Sequence, residues 1–230
     1  MILAAGRGER MRPLTDTVPK PLIPVAGRSL IERSIERLMA HGVSNIVVNV
    51  HYLGQQIVDR LDGQVNGHVH IVREERLLDT GGSVKNALPL LGDGPFYVVN
   101  GDGLWRDGPR RPLLRRMQDI WDPDRMDALL LLHPIHRVVG REPGERGDYF
   151  FEQDGRIRHR GEAQLAPYLF ASVSVCDHRL FEDSPDGPFS LLQLWNRAES
   201  NDRLVGIIHD GDWFHIGTPG ALATAERVLA

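Results

Sequence analysis

Two glycines and three arginines follow closely on the first apolar residues of the chain. They occupy residues 6–12, directly after the short apolar run 1–4. Glycines let backbone N–H groups approach phosphate oxygens, and arginines supply planar, permanently charged donors. The pattern is neither a Walker loop nor the Rossmann Gly-x-Gly-x-x-Gly fingerprint. Taken alone, it fits a phosphate site or a surface turn with solvated arginines.

A lysine and an aspartate could complete such a site. Lys20 stands between Pro19 and Pro21, which fix the local backbone, so its ammonium can be aimed at a ligand with little loss of entropy. Asp102 follows Gly101 at the end of the apolar run 96–100. A carboxylate in that place could hold Mg²⁺ as an oxygen ligand, although a turn aspartate that caps a loop has the same pattern.

Residues 80–82 open a predicted helix with Thr80, Gly81 and Gly82. The first N–H groups of a helix have no partner within the helix, so here they could face a base edge or an anion. Thr80 could equally be a simple N-cap, and both interpretations are compatible. Glu74 lies in the polar loop that precedes this helix.

These residues must be positioned by the elements around them. Alternating patterns predict strands over 2–4, 45–50, 68–72 and 96–100, and helices over 30–41, 54–61 and 81–91. Strands separated by helices indicate βαβ units and a mostly parallel sheet covered on both faces. Such sheets bind ligands at the carboxyl ends of their strands, where residues 6–12 and 101–102 both lie.

The second half of the chain is less regular. We predict strands over 126–132, 168–175 and 204–209, helices over 191–200 and 219–229, and a hairpin of 148–153 with 156–160 across Asp154-Gly155. The basic run 106–116 is interpreted as a solvated loop and helix face. We therefore predict an α/β fold, a single-domain Rossmann-like three-layer sandwich. Its central sheet is mixed and mostly parallel, with a small antiparallel substrate lobe. Residues 1–110 form one half of this domain and residues 111–230 the other.

The composition excludes several classes of protein. Of 230 residues, 41% are hydrophobic and 25% charged, with a net charge of −4, which argues against a nucleic-acid partner. The single cysteine, Cys176, excludes an intramolecular disulfide and fits a reducing compartment. No apolar run approaches the ~18–20 residues that span a bilayer. We expect a cytoplasmic monomer or small homo-oligomer without a membrane partner.

The segment Leu3-Ala4-Ala5-Gly6-x-Gly8-x-Arg10-Met11, followed by Pro19-Lys20-Pro21-Leu22, resembles the signature of the sugar-1-phosphate nucleotidylyltransferase family. Members of that family join a sugar 1-phosphate to a nucleoside triphosphate and release pyrophosphate. The similar stretches are 3–27, 78–92, 99–102 and 213–218. The resemblance implies that residues 1–110 form the nucleotide-binding half and residues 111–230 the sugar-binding half. Within the family, the chain is most similar to uridylyltransferases that act on N-acetylmuramic acid 1-phosphate, which implies UTP and a role in peptidoglycan recycling.

The resemblance also implies a role for each motif residue. Arg10 would stabilise charge on the triphosphate, Lys20 would bind the sugar phosphate or the α-phosphate, and Asp102 would hold Mg²⁺. Nucleotide contacts are expected from Leu3, Ala4, Ala5, Gly6, Gly8, Glu74, Thr80, Gly81 and Gly82. Sugar contacts are expected from Asn100, Asp148, Glu162 and Ser172, and relatives often have a glycine near Ser172.

One residue departs from the family pattern. The family usually has Trp-x-Asp-x-Gly-Thr near its end, with the aspartate as second metal ligand, whereas this chain has His215 there. Imidazole is a softer ligand than Mg²⁺ prefers. His215 could bind the metal, hold a metal-bound water, contact phosphate as a cation, or be purely structural.

Alternative functions stay open at this point. Within the same chemistry the substrates could be mannose 1-phosphate with GTP, or glucose 1-phosphate with UTP or dTTP. Hexose-specific relatives often carry a Glu-Lys-Pro segment near the sugar, and its absence here favours the muramate substrate. A non-catalytic nucleotide-sugar sensor is the alternative from a different class, suggested by His215. The presence of Arg10, Lys20 and Asp102 argues for catalysis instead.

Overall fold

The computed structural model describes residues 1–62 and 67–229. The α-helices are α1 (Leu30–Ala40), α2 (Gly54–Leu61), α3 (Asp79–Ala87), α4 (Leu113–Ile120), α5 (Leu191–Ser200) and α6 (Pro219–Leu229). The strands are β1 (Ile2–Leu3), β2 (Pro24–Val25), β3 (Arg28–Ser29), β4 (Ile46–Val50), β5 (Val69–Arg73), β6 (Phe96–Asn100), β7 (Leu104–Arg106), β8 (Ala128–Pro134), β9 (Tyr149–Phe151), β10 (Ile157–His159), β11 (Tyr168–Cys176), β12 (Leu204–Ile208) and β13 (Asp212–Phe214).

One mixed sheet forms the centre of the described molecule. Strands β5, β4, β1 and β6 lie side by side and parallel. Next to β6, strand β11 runs antiparallel and pairs also with β8 and β9, while β12 lies parallel to β8. Small antiparallel pairs, β13 with β7 and β2 with β3, stand outside this sheet. The prediction of a mixed, mostly parallel sheet with a small antiparallel lobe is confirmed.

The first strand has only two residues but lies in the middle of the parallel half. Ile2 pairs with Val48 of β4 on one side and with Val99 of β6 on the other. Because both neighbours are longer, they fix the direction of β1 and bring the following loop to the carboxyl edge of the sheet. The short first strand expected from the sequence is therefore sufficient to position that loop.

Side chains of the parallel strands alternate between two apolar layers, as the period of two requires. Val48 belongs to a buried cluster with residues of α1, α2 and α4, such as Ile35, whereas its neighbour Val47 belongs to a second cluster. That second cluster contains residues of α3 and α5, such as Val84 and Leu194. Helices thus cover both faces, and the three-layer prediction is confirmed.

Several predicted boundaries need correction. Helix α3 begins at Asp79, two residues before the glycine at which we expected it to start. The run 106–116 is mostly an exposed loop followed by the start of α4, as predicted. Arg116 is the exception, because its side chain is only 12% exposed and is paired with Asp210. The hairpin across Asp154-Gly155 is present but shorter, as β9 and β10. In the described residues, no helix is both long enough and apolar enough to cross a membrane.

Candidate active site

The loop after β1 is shaped by close packing around one glycine. Gly8 has a φ of 64°, in the left-handed region that favours glycine, and a Cβ there would lie 3.0 Å from both Lys20 Cβ and Thr15 Cγ2. Thr15 donates a hydrogen bond from Oγ1 to the Gly8 carbonyl at 2.9 Å. The close packing around Gly8 brings together the two halves of the sequence signature, the loop of residues 6–12 and Lys20.

Lys20 and Asp102 meet across the carboxyl edge of the sheet. Lys20 Nζ lies 2.5 Å from Asp102 Oδ2, and the two side chains are 12% and 36% exposed. Burial alone would raise the pKa of Asp102, but the charge and hydrogen bond of Lys20 outweigh it, so this pKa lies below its usual value. The electrostatic interaction with His215 lowers the pKa of Asp102 in the same direction. Asp102 is therefore held as a carboxylate.

Gly101 is required for this arrangement because β1 passes very close to it. Its N–H donates to the Leu3 carbonyl at 2.7 Å. A Cβ on residue 101 would lie 2.5 Å from that same oxygen, which no side chain tolerates. The Gly-Asp pair thus places the carboxylate beside the loop after β1, as the sequence predicted.

A cavity of about 500 Å³, which we call the loop cavity, opens beside this loop. Glu74 is buried in its wall and accepts hydrogen bonds from Asn49 Nδ2 at 2.8 Å and from Ser83 Oγ at 2.6 Å. Asn49 Oδ1 in turn accepts from the backbone N–H of Ala4 at 2.9 Å. The loop cavity is lined by residues that include Leu3, Ala4, Ala5, Gly6, Gly8, Lys20, Glu74, Thr80, Asn100 and Asp102.

The expectation for residues 80–82 is wrong in part. Thr80 lies inside α3, whose N-cap is Leu78, so it does not cap the helix. It lines the loop cavity, and its Oγ1 accepts from the Leu191 N–H at 2.9 Å. The N–H groups of Gly81 and Gly82 both donate to the Phe189 carbonyl, at 2.8 and 3.1 Å, and are not available to a ligand. Because Gly81 and Gly82 have no side chain, the segment around Phe189 can pack directly against α3.

A second cavity of about 460 Å³, which we call the lobe cavity, shares part of its wall with the first. Asn100 and Asp102 line both cavities, so the two meet at the end of β6. The lobe cavity is also lined by Arg10, Glu145, Arg146, Gly147, Asp148, Arg160, Leu169, Phe170, Ser172, Trp213, Phe214, His215 and Ile216. Predicted site residues from both ends of the chain are thus brought together.

His215 lies in the lobe cavity beside a carboxylate. Its Nδ1 contacts Glu145 Oε1, and the two side chains are 21% and 15% exposed. A Cβ on Gly217 would come within 2.9 Å of His215 Nε2 and 3.1 Å of Arg10 Nη1, so glycine allows these two groups to approach each other. With Nδ1 facing Glu145, Nε2 is the ring nitrogen left for a ligand.

Ser172 has an unusual backbone at the wall of the lobe cavity. Its φ is 67°, a left-handed value that serine rarely adopts, and the register between β11 and β8 shifts between Phe170 and Ser174. Glycine adopts positive φ values without strain and would fit the same conformation. Asp148 also lines the cavity and accepts from the Phe170 N–H at 2.9 Å. The prediction that Glu162 contacts the sugar needs correction, because Glu162 is exposed on a loop and lines neither cavity.

Glu145, Arg146 and Arg160 line the lobe cavity but were not predicted from the sequence. Each comes from a loop or hairpin end of the second half, where no motif marks them. The available signal was the position of Glu145 and Arg146 near Asp148, an expected sugar contact, and of Arg160 at the end of the predicted hairpin.

Two side chains of the lobe cavity, Asp102 and His215, could serve as ligands of a divalent cation that also binds phosphate. Asp102 would contribute a carboxylate oxygen and His215 its Nε2, so the protein would supply two ligand atoms to the metal. Among residues 1–62 and 67–229, no cluster of three or more His, Cys, Asp and Glu side chains could hold a metal. Such a two-donor site suits Mg²⁺, which keeps waters and substrate phosphates as further ligands.

Comparison with known proteins places the chain among enzymes. Residues 1–126 match the family described as nucleotidyl transferase. The chain is 40% identical, over 100% of its length and 96% of the relative, to N-acetylmuramate alpha-1-phosphate uridylyltransferase of Caulobacter vibrioides. It is 37% identical to the protein of the same name from Neisseria meningitidis serogroup B, over 99% of this chain and 96% of that relative. A UDP-glucose pyrophosphorylase solved with UDP-glucose shares the fold, with a TM-score of 0.79, 16% identity and coverage of 99% and 96%.

Proposed function

This chain belongs to the nucleotidyl transferase family, and we propose that it transfers the uridylyl group of UTP to N-acetylmuramic acid 1-phosphate, in the recycling of peptidoglycan sugars. The observation that carries this proposal is the shared wall of the two cavities. Asn100 and Asp102 line both, so a nucleotide in the loop cavity and a sugar in the lobe cavity would meet with their phosphates at Asp102. The full-length relatives named above support the choice of substrates.

The base would be recognised by Glu74. Its buried carboxylate is already fixed by Asn49 and Ser83, so it is a rigid acceptor in the wall of the loop cavity. A carboxylate accepts hydrogen bonds but donates none. It can accept from the ring N–H of uracil, thymine or guanine and also from the amino group of cytosine or adenine. Glu74 is therefore proposed as a base contact, and the choice of uracil rests on the full-length relatives.

The reaction consists of one displacement at phosphorus. An oxygen of the sugar phosphate forms a bond to the α-phosphorus, while the bond from that phosphorus to the bridging oxygen breaks and its electron pair leaves with pyrophosphate. The attacking oxygen is anionic near neutral pH, so no general base is needed. Positioning and charge neutralisation then dominate catalysis. Arg10 and Lys20 provide that positive charge.

Asp102 and His215 would hold Mg²⁺ at the junction of the cavities. When bound there, the ion neutralises charge on the phosphates of both reactants. Lys20 then has a second role, because its ammonium balances the Asp102 carboxylate until the phosphates arrive. An imidazole is a softer ligand than a carboxylate, so it shifts the preference of the site away from Mg²⁺ and towards softer divalent cations.

A substrate matrix tests the proposal. UTP, dTTP, GTP, CTP and ATP are each mixed with N-acetylmuramic acid, N-acetylglucosamine, mannose and glucose 1-phosphates, with Mg²⁺ or Mn²⁺, and pyrophosphate release is followed. We expect the highest kcat/KM for UTP with N-acetylmuramic acid 1-phosphate. A preference for GTP with mannose 1-phosphate, or for UTP or dTTP with glucose 1-phosphate, would overturn the substrate assignment. Binding of the nucleotide sugar without any pyrophosphate release would indicate a sensor instead.

A further inference from the structure

The lobe cavity is lined by three arginines, and the displacement described above uses only one. Arg10 is needed for the phosphates. Arg146 and Arg160 line the same cavity from the second half of the chain. A sugar 1-phosphate with one phosphate does not require this additional positive charge, so we asked what else it could bind.

The backbone at Arg146 is firmly anchored. Its carbonyl accepts from the Ala166 N–H at 2.7 Å, and the Asp148 N–H donates to the Tyr168 carbonyl at 2.7 Å. Gly147, between them, has a φ of 71°, and a Cβ there would lie 2.2 Å from the Ala166 carbonyl oxygen. Residue 146 is therefore held at the rim of the cavity by two hydrogen bonds and by an obligatory glycine.

Arg160 has a guanidinium that is only partly committed. Its Nε donates to the Gly147 carbonyl at 3.0 Å and its Nη1 to the Ala163 carbonyl at 2.8 Å. Both acceptors are neutral carbonyls, so the positive charge is not balanced. Its Nη2 makes no hydrogen bond within the part of the chain that the structure describes.

Arg146 makes no side-chain hydrogen bond or salt bridge to the described residues. The carboxylates that line the same cavity have other partners. Asp102 is paired with Lys20, Glu145 contacts His215, and Asp148 accepts from the Phe170 N–H. The cavity thus contains Arg146, whose backbone is anchored and whose exposed guanidinium has no partner among the described residues. It also contains the half-paired Arg160, so the charge of both side chains is available to an anion.

We propose that Arg146, supported by Arg160, binds the lactyl carboxylate of the sugar and selects for a carboxylated sugar 1-phosphate. This inference rests on the proposed function. N-acetylmuramic acid is N-acetylglucosamine with a lactic acid ether on O3, so it brings a second anion besides its phosphate. A guanidinium binds a carboxylate through two parallel hydrogen bonds, which a neutral hydroxyl cannot reproduce.

The test compares two sugars that differ only in the lactyl group. The selectivity ratio is kcat/KM for N-acetylmuramic acid 1-phosphate divided by kcat/KM for N-acetylglucosamine 1-phosphate. Arg146→Gln should lower this ratio by about 10- to 100-fold, since a hydrogen bond to a charged group contributes about 1.5–3 kcal/mol. The loss should lie mainly in KM, and Arg146→Lys should recover part of it. If N-acetylglucosamine 1-phosphate turns over too slowly for kcat/KM to be measured, its inhibition constant is used in place of its kcat/KM.

Arg158→Gln is the matched control. Arg158 lies on β10 of the same lobe, where it is exposed and stacks on Phe150, and it does not line the cavity. Its substitution should leave the ratio unchanged. A substrate with a carboxamide in place of the lactyl carboxylate gives an independent check. In wild-type protein, kcat/KM should be lower for the carboxamide than for the natural sugar, by about the factor that Arg146→Gln loses on the natural sugar. In Arg146→Gln, kcat/KM should be similar for the two substrates.

The outcomes separate this inference from the proposed function. If wild-type protein releases no pyrophosphate with any sugar 1-phosphate, the proposed reaction is wrong. If wild-type protein is active but Arg146→Gln keeps the wild-type selectivity ratio, only the carboxylate site is overturned. Equal losses on both sugars lead to the same conclusion, because they would place Arg146 in phosphate binding or in general structure.

Discussion

Lys20 Nζ lies 2.5 Å from Asp102 Oδ2, and this ion pair joins the two strongest sequence motifs across the mouth of both cavities. The pair keeps the carboxylate ionised and the ammonium in place before any phosphate arrives. Asp102 is positioned by β6, which ends at Asn100, and Lys20 by its packing close to Gly8 in the loop after β1. In the proposed mechanism, Lys20 would exchange Asp102 for a phosphate.

Replacing this lysine should remove activity without unfolding the protein. Lys20→Met takes away a preorganised positive charge and should reduce kcat by about 10²–10³-fold, the usual cost of losing one such group. Thermal unfolding should show a folded, cooperative protein. Arg28→Met, which removes an exposed cation paired with Glu36, is the control and should retain the wild-type rate. Normal turnover by Lys20→Met would exclude the role given to this residue.

Glu74→Gln tests base recognition. The carboxylate accepts from Asn49, Ser83 and the Leu78 N–H, and an amide would place an NH₂ group against one of these donors. We expect KM for UTP to rise by about 10- to 100-fold, because a charged acceptor is lost. Glu75→Gln, at the exposed neighbouring position, should leave KM unchanged. A variant with unaltered KM and unaltered preference among bases would show that Glu74 does not contact the base.

Gly81→Ala should destabilise the protein through one steric contact. An ideal Cβ on Gly81 would lie 2.3 Å from Phe189 Cε2 and 2.9 Å from the Phe189 carbonyl oxygen. Overpacking of this kind costs about 1–3 kcal/mol. Gly94→Ala, whose Cβ meets open space, should change the free energy of unfolding by less than about 0.5 kcal/mol. Urea denaturation measures both, and equal stabilities for the two variants would contradict the packing described for Phe189.

His133 should make the fold sensitive to acid. It is fully buried, and burial lowers its pKa from 6.5 to about 4. The unfolded chain takes up a proton as the pH falls below about 6.5, whereas the folded chain resists until about pH 4. Stability is therefore lost as the pH falls through this window, by on the order of 3 kcal/mol at most.

The measurement is the free energy of unfolding at pH 7.5 and at pH 4.5. His133→Gln cannot take up this proton, so it should lose less stability between the two conditions than wild-type protein does. His70→Gln, at an exposed position, should lose as much as wild type. Identical losses in all three proteins would show that His133 is not a source of the acid sensitivity.

Local motifs were sufficient to predict much of the fold and the centre of the site. The loop after β1, Lys20 and Asp102 are marked by residue types that constrain the backbone within a few positions, and the structure brings them together. Helices α2, α5 and α6 have the predicted bounds because their apolar periodicity and flanking residues are themselves local signals.

Predictions that depended on distant partners were wrong or missing. Gly81 and Gly82 resemble a ligand-binding helix start, but Phe189, from the other half of the chain, occupies their N–H groups. Glu145 and Arg146 enter the lobe cavity only because their loop pairs with the segment before β11. No pattern within a short window of sequence contains such pairings.

The most direct test of nucleotidyl transfer is to quantify both products from UTP, N-acetylmuramic acid 1-phosphate and Mg²⁺. Wild-type protein should form the uridine diphosphate sugar and pyrophosphate in equal amounts. Asp102→Asn should be slower by about 10²–10³-fold, because it removes the charge at the junction of the cavities. Asp119→Asn, which alters an exposed carboxylate, should match wild type. No nucleotide sugar from wild-type protein, or an undiminished rate for Asp102→Asn, would contradict the mechanism proposed for this chain.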